Sequence, residues 1–175
     1  MPQVRLASRA VISAFDKTSD VEVIIPELER LGVRLLDVSV IGKSEVVQTI
    51  SVTERSRGLL GVFGKKAQAL GSLQVVEEPG VGTLSGAGPL VHVLVNSPST
   101  SPTGALVMQG IPQRDALIYS DLLKHGKVIL LVGVADRRIG ERVRAVFEQH
   151  AGQSIGYYAG RPYGTAYHGV GPGLR

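Results

Sequence analysis

The residues that could bind a nucleotide lie in the glycine-rich middle of the chain. Gly64-Lys65 suggests a phosphate-binding loop, which needs a glycine five positions before that Gly-Lys pair and Ser or Thr directly after it. Leu59 and Lys66 occupy those two positions. The glycines at 80, 82, 86 and 88 lack the Gly-x-Gly-x-x-Gly spacing that opens a helix after a strand in dinucleotide-binding folds. We therefore predict no nucleotide cofactor.

Metal, acid–base and nucleophilic chemistry have equally little support. The chain has no cysteine, and its histidines, at positions 92, 125, 150 and 168, lack the short spacing of paired metal ligands. Glu77 and Glu78 are adjacent, and adjacent strand residues point to opposite faces, so they make a poor acid–base pair. No Gly-x-Ser-x-Gly sequence supplies a nucleophilic serine. We predict no catalytic residue and no metal, and expect a protein that is not an enzyme.

The composition favours a folded cytoplasmic protein. Apolar residues make up 43% of the 175 residues, which is enough for a core. The net charge of +4 is spread along the chain, and this counts against a nucleic-acid partner. The first residues carry no apolar signal-peptide core, and no apolar run reaches the roughly 18 residues of a membrane helix. With no cysteine, a reducing cytoplasm is the expected location.

Two segments at the ends of the chain each read as a β-α-β unit. In the first, residues 1–44, strands at 9–15 and 34–41 flank a helix that Gly32 ends, with Pro26 predicting a kink or a late start. In the second, residues 127–160, Asp136 caps a helix between strands at 127–134 and 154–159, and Gly152 stops it. We predict an α+β fold, a ferredoxin-like four-stranded antiparallel sheet with two helices on one face.

A glycine-rich apolar insertion, residues 45–126, separates the two units. It has a predicted strand at 48–52 and no Asp, Glu, Lys or Arg from Pro79 to Gln113. Leu90–Val95 reads as a strand, with a buried helix as the alternative. A helix then runs from Gly110 to about His125. Residues 161–175 form a tail rich in glycine and tyrosine.

Several short motifs follow one another along the chain in a recognisable order and spacing. They are Phe15-Asp16, Leu31-Gly32, Asp37-Val38-Ser39-Val40-Ile41, Pro79-Gly80-Val81-Gly82 before Ala87-Gly88-Pro89-Leu90, Gly110-Ile111-Pro112, Tyr119, and Gly126-Lys127-Val128-Ile129-Leu130. In these motifs the chain resembles the bacterial general stress proteins of the heat-induced, YflT-like kind. The resemblance covers roughly residues 9–152 and implies an α/β core, a glycine-zipper-like insertion and no established catalytic residue.

The uncharged stretch at residues 79–113 must be shielded from water by other parts of the protein or by a partner. An exposed apolar patch of this kind marks an interface. We therefore predict a non-catalytic, homo-oligomeric scaffold or assembly protein, linked to stress response by the resemblance, whose partner is itself or another protein. The alternatives are a small-molecule-sensing regulatory domain with a pocket wall at residues 80–88, and a stress protein that binds a membrane surface through Gly58–Lys66. The candidate interface residues are Gly58, Gly61, Gly64, Leu90, His92, Tyr119, Tyr157, Tyr158, Tyr163 and Tyr167.

Overall fold

The computed structural model describes residues 9–46, 74–97 and 100–159. The strand predicted at 48–52 and the tail at 161–175 lie outside these residues. The described residues contain six strands, five complete α-helices and, between the first helix and the second strand, one 3-10 turn at Leu35–Asp37. The strands are β1 (Arg9–Phe15), β2 (Val38–Lys43), β3 (Gln74–Glu78), β4 (Gly82–Ala87), β5 (Val128–Val134) and β6 (Gln153–Ala159). The helices are α1 (Thr18–Arg30), α2 (Pro89–Asn96), α3 (Pro102–Met108), α4 (Gln113–Lys124) and α5 (Arg137–Gln149).

The strands form one sheet in the order β3-β4-β2-β5-β1-β6, and every neighbouring pair is antiparallel. The predicted ferredoxin-like fold, with four strands and two helices on one face, is therefore wrong. The insertion is part of the sheet, because β4 pairs with β2 and carries β3 at its outer side. Its helices α2, α3 and α4 contribute the apolar residues that cover a second face.

Both faces of the sheet are buried at its central strands, which explains why β5 is apolar along its whole length. Alternate side chains of a strand point to opposite faces. Val128, Leu130 and Val132 pack on one face with α1 and α5 in the first apolar cluster, while Ile129 and Leu131 pack on the other face with α2, α3 and α4 in the second apolar cluster. The largest fully buried side chains include Phe15 and Phe147 of the first cluster and Ile12, Leu94, Leu106 and Tyr119 of the second.

The segment at Leu90–Val95, predicted as a strand with a buried helix as the alternative, lies in helix α2. Pro89 occupies the first turn, where its missing N–H is not needed. Leu90, Val91 and Leu94 are buried while His92 and Val95 are exposed, which is the spacing of a helix with one buried side. An apolar run of this length does not by itself separate a strand from a buried helix.

One other predicted boundary in the first unit is wrong, and one of the two alternatives at Pro26 is excluded. The strand predicted at 34–41 begins later, because Leu35–Asp37 form the 3-10 turn, in which Arg34 Nε donates to Asp37 Oδ2 at 2.7 Å. Helix α1 begins at Thr18 and includes Pro26, so the helix does not start late.

Helices α1, α3, α4 and α5 end in the same way, with paired hydrogen bonds back to the last turn. In three of them the residue with positive φ is a glycine: Gly32, Gly110 or Gly126. In α5 that position is Ala151, with φ of 56°, and Gly152 follows it, donating its N–H to the Phe147 carbonyl at 2.8 Å. Gly152 was predicted to stop this helix, but the strained residue is the alanine before it.

Replacing Ala151 by glycine should therefore stabilise the fold by roughly 0.5–1 kcal/mol, because glycine adopts positive φ without a Cβ clash. Ala145→Gly is the matched control: Ala145 is exposed in the middle of α5, where the same change should cost about 1 kcal/mol. Urea unfolding of both variants measures the two changes in the free energy of unfolding, which should have opposite signs. Destabilisation by Ala151→Gly would contradict this account of the helix end.

Candidate functional site

The predicted interface residues separate into three groups in the structure. Gly58, Gly61, Gly64, Tyr163 and Tyr167 lie outside the described residues. Of the rest, Leu90 is buried beneath α2, where its backbone N–H donates to Ser39 Oγ at 3.0 Å, and His92 is exposed on the outer side of the same helix. The remaining three, all tyrosines, lie on or beside the edge strand β6.

Tyr158 meets both Asp115 and Tyr119 between α4 and β6. The Tyr158 hydroxyl donates to Asp115 Oδ2 at 3.0 Å, and both residues are buried. Asp115 lies in the first turn of α4, where the helix dipole favours a negative charge. Tyr119 is one turn further along α4 and is fully buried in the second apolar cluster. This tyrosine–aspartate cluster joins the insertion to the last described strand.

Side chains in and near the cluster also bind backbone carbonyl groups at an irregularity in β6. The register between β1 and β6 shifts between Ile12 and Ala14, and Ser154 has a φ of 51°. Such a bulge leaves carbonyl groups outside the regular ladder. Two side chains bind them: Tyr119 Oη donates to the Ser154 carbonyl at 2.5 Å, and Ser13 Oγ donates to the Gln153 carbonyl at 2.9 Å.

The environment of the cluster keeps the phenol of Tyr158 in its neutral, protonated form. Burial raises the pKa of Tyr158, and the neighbouring Tyr119 hydroxyl and Asp115 carboxylate raise it further. A phenol in this state keeps its proton and continues to donate to the carboxylate. The arrangement is suited to fixing β6 in place, since the hydroxyls of Tyr119 and Tyr158 both donate to groups of the same chain.

Tyr157 holds β6 from the opposite face. Its ring lies against Gly140 of α5, where an added Cβ would approach the ring Cε2 to 2.5 Å. A side chain at this position would therefore require the Tyr157 ring or α5 to shift. At the start of β6, Gln153 Nε2 donates to Asp16 Oδ1 at 2.9 Å, and Lys127 forms an ion pair with the same carboxylate, which lowers the pKa of Asp16.

The glycines proposed as a pocket wall, in residues 80–88, do two different things. Gly80, in the turn between β3 and β4, and Gly82, the first residue of β4, have positive φ. Gly86 and Gly88 allow close contact with β2, and Gly88 also has positive φ. A Cβ at Gly86 would lie 2.2 Å from the Val40 carbonyl oxygen. The space beside these last two glycines is filled by the chain's own backbone.

Sequence reasoning selected the tyrosines but missed Asp115, Ser154 and Ser13. One signal for Asp115 was present, because Asp115 and Tyr119 are four residues apart and so share one face of a helix. The contact with Tyr158 spans 43 residues along the chain and has no local signature. The left-handed Ser154 has none either, because serine at that position gives no hint of a bulge.

Gly86→Ala should destabilise the protein by roughly 1–3 kcal/mol, because the new methyl group would displace the backbone of β2. Gly80→Ala is the control. No atom lies within 4 Å of a Cβ there, so only the positive φ is penalised, at about 1 kcal/mol. Thermal or urea unfolding compares the two, and a smaller loss for Gly86→Ala than for Gly80→Ala would contradict the close contact.

Tyr158 also makes a prediction about alkaline pH. In the unfolded chain its phenol ionises near the ordinary value of 10.0, while the pKa in the folded protein is higher. As the pH rises above about 10, the unfolded state binds fewer protons than the folded state. The free energy of unfolding should therefore fall by up to about 1.4 kcal/mol per pH unit. Tyr158→Phe should be less stable at neutral pH by about 1–3 kcal/mol, because Asp115 loses its donor, and should lose less stability as the pH rises. Urea unfolding at a series of pH values measures this, and equal slopes in the two proteins would contradict it.

The described residues hold no group of three or more histidine, aspartate or glutamate side chains arranged to bind a metal ion. Among them, no helix is long and apolar enough to cross a membrane. No protein-family model, curated protein or solved structure matches the chain. The resemblance to the general stress proteins therefore stays a prediction, and the functional argument depends on the geometry of β6 and its surroundings.

Proposed function

We propose that this protein is a non-catalytic self-associating module, a homo-oligomeric scaffold that acts in the cytoplasm. The observation that carries the proposal is the edge strand β6, Gln153–Ala159, which pairs with β1 on one side and with no other strand of the described residues. Its sequence, QSIGYYA, contains no charged residue.

An edge strand presents unpaired backbone N–H and C=O groups that can pair with another chain. Folded proteins protect such edges with charged side chains, proline or a β-bulge. β6 has no charged side chain and no proline, and its bulge lies at Ser154, near the start of the strand, whereas the opposite edge strand, β3, ends in Glu77 and Glu78. The two edges therefore differ in the charge that prevents pairing between copies.

The way β6 is held also favours association. Tyr157 packs on α5 from one face, while Tyr158 and Tyr119 bind Asp115 and the Ser154 carbonyl from the other. A strand fixed on both faces loses little conformational freedom when it pairs. The buried apolar side chains of the insertion are not needed for this interface, because the second apolar cluster covers them within one chain.

The proposal assigns the chain no substrate and no cofactor. The link to stress response depends on the sequence resemblance. The ligand-sensing alternative is less well supported, since Gly86 and Gly88 contact β2 and line no open cleft with one another. Binding to a membrane surface was assigned to residues 58–66, which lie outside the described residues.

The full-length protein should elute with a mass of at least twice the 18.5 kDa of one chain when light scattering is recorded after gel filtration. High salt should leave that mass unchanged, because β6 carries no charge for salt to screen. A single-chain mass over the whole concentration range would overturn the proposal.

A further inference from the structure

We propose that the interface is a two-fold pairing of β6 with β6 of a second copy, antiparallel and centred on Tyr157. This inference rests on the proposed function and specifies its geometry. It would join two six-stranded sheets into one continuous sheet through main-chain hydrogen bonds, the mode by which an exposed edge accepts an extended strand.

The bulge fixes which part of β6 can pair. Ser154, with its φ of 51°, interrupts the strand near its start, and Gln153 is bound through its carbonyl to Ser13. Residues 156–159 are in regular register with β1, and Ile155 lies between them and the bulge residue Ser154. A closed dimer needs the same patch on both copies, and a two-fold axis at Tyr157 pairs Gly156 with Tyr158 and Ile155 with Ala159, which leaves Ser154 outside the interface.

The side chains are compatible with that axis on both faces. On the face of the first apolar cluster, Tyr157 would lie opposite the partner's Tyr157, and Ile155 opposite the partner's Ala159; aromatic pairs of this kind stabilise antiparallel strands. On the other face, Gly156 would lie opposite the partner's Tyr158, leaving room for its ring. No like charges meet at any of these positions, because the five residues are uncharged.

A second copy is therefore a better occupant of this edge than a charged peptide. The strand offers no charge that would select such a peptide, and antiparallel pairing about Tyr157 places only uncharged side chains opposite one another. The opposite edge differs, since Glu77 accepts a hydrogen bond from Thr83 at 2.6 Å and burial raises the pKa of Glu78. Two copies of β3 would bring four carboxyl groups to one interface.

The test uses the absence of native cysteine. A residue on the two-fold axis faces its own copy with Cα atoms about 4.5–5.5 Å apart, within reach of a disulfide bond. Full-length Tyr157→Cys, oxidised in air with a copper catalyst, should form a covalent dimer that a reducing agent separates on a gel. Val75→Cys, on the exposed edge strand β3, is the matched control and should remain a single chain.

A second pair of variants covers the case in which Tyr157→Cys fails to fold. Ala159→Lys and Ile155→Lys should each reduce the mass to that of one chain while far-ultraviolet circular dichroism stays unchanged, and Val75→Lys should leave the dimer intact. If wild type is a dimer that only Val75→Lys dissociates, this inference is overturned and the proposed function stands. If wild type is a monomer, both are overturned.

Discussion

The constraint on which the rest of the structure depends is that the central strands are apolar on both faces. A sheet of this kind must be covered twice, because an uncovered face would expose a large apolar surface to water. Helices α1 and α5 cover one face, with Phe15 and Phe147 meeting edge to face at 5.4 Å. The insertion supplies the other cover through α2, α3 and α4. The uncharged stretch is thus required by the strands it packs on.

That double cover has a consequence for polar groups, which must find partners inside the chain or lose their hydrogen bonds. Ser39 accepts the Leu90 N–H, and the hydroxyls of Ser44 and Ser85 lie 2.5 Å apart in a buried pair. Among the described residues, Gln109 Nε2 is the buried side-chain nitrogen that has no such partner. At the other end of the sheet, the carbonyls released by the bulge are bound by Ser13 and Tyr119.

The sequence identified the apolar strands β1 and β5 and the N-terminal cap of α5 because those signals are local. The residues of β1 and β5 are short apolar runs, and Asp136 accepts the Ile139 N–H at 2.9 Å, as a helix cap should. It failed for β4, whose sequence GTLSGA has little strand preference and pairs only because β2 lies beside it. The predicted fold class was wrong for this reason. The sequence gives no sign that β4 pairs with β2, so the insertion was treated as separate from the sheet.

The same distinction between local and distant signals applies to the candidate site. The tyrosines were selected as residues that would bind a neighbour, yet Tyr119 and Tyr158 are buried inside one chain. Their role is to hold β6, and a strand held in this way can present, in one fixed conformation, the side that pairs with no other strand of the described residues. Two residues near β6 cost stability because they have positive φ, namely Ala151 and Ser154. They lie between the end of α5 and the regular part of β6, where the chain sets the direction of the strand. Strain of this kind persists where the surrounding structure compensates for it, and here the compensating contacts all act on β6.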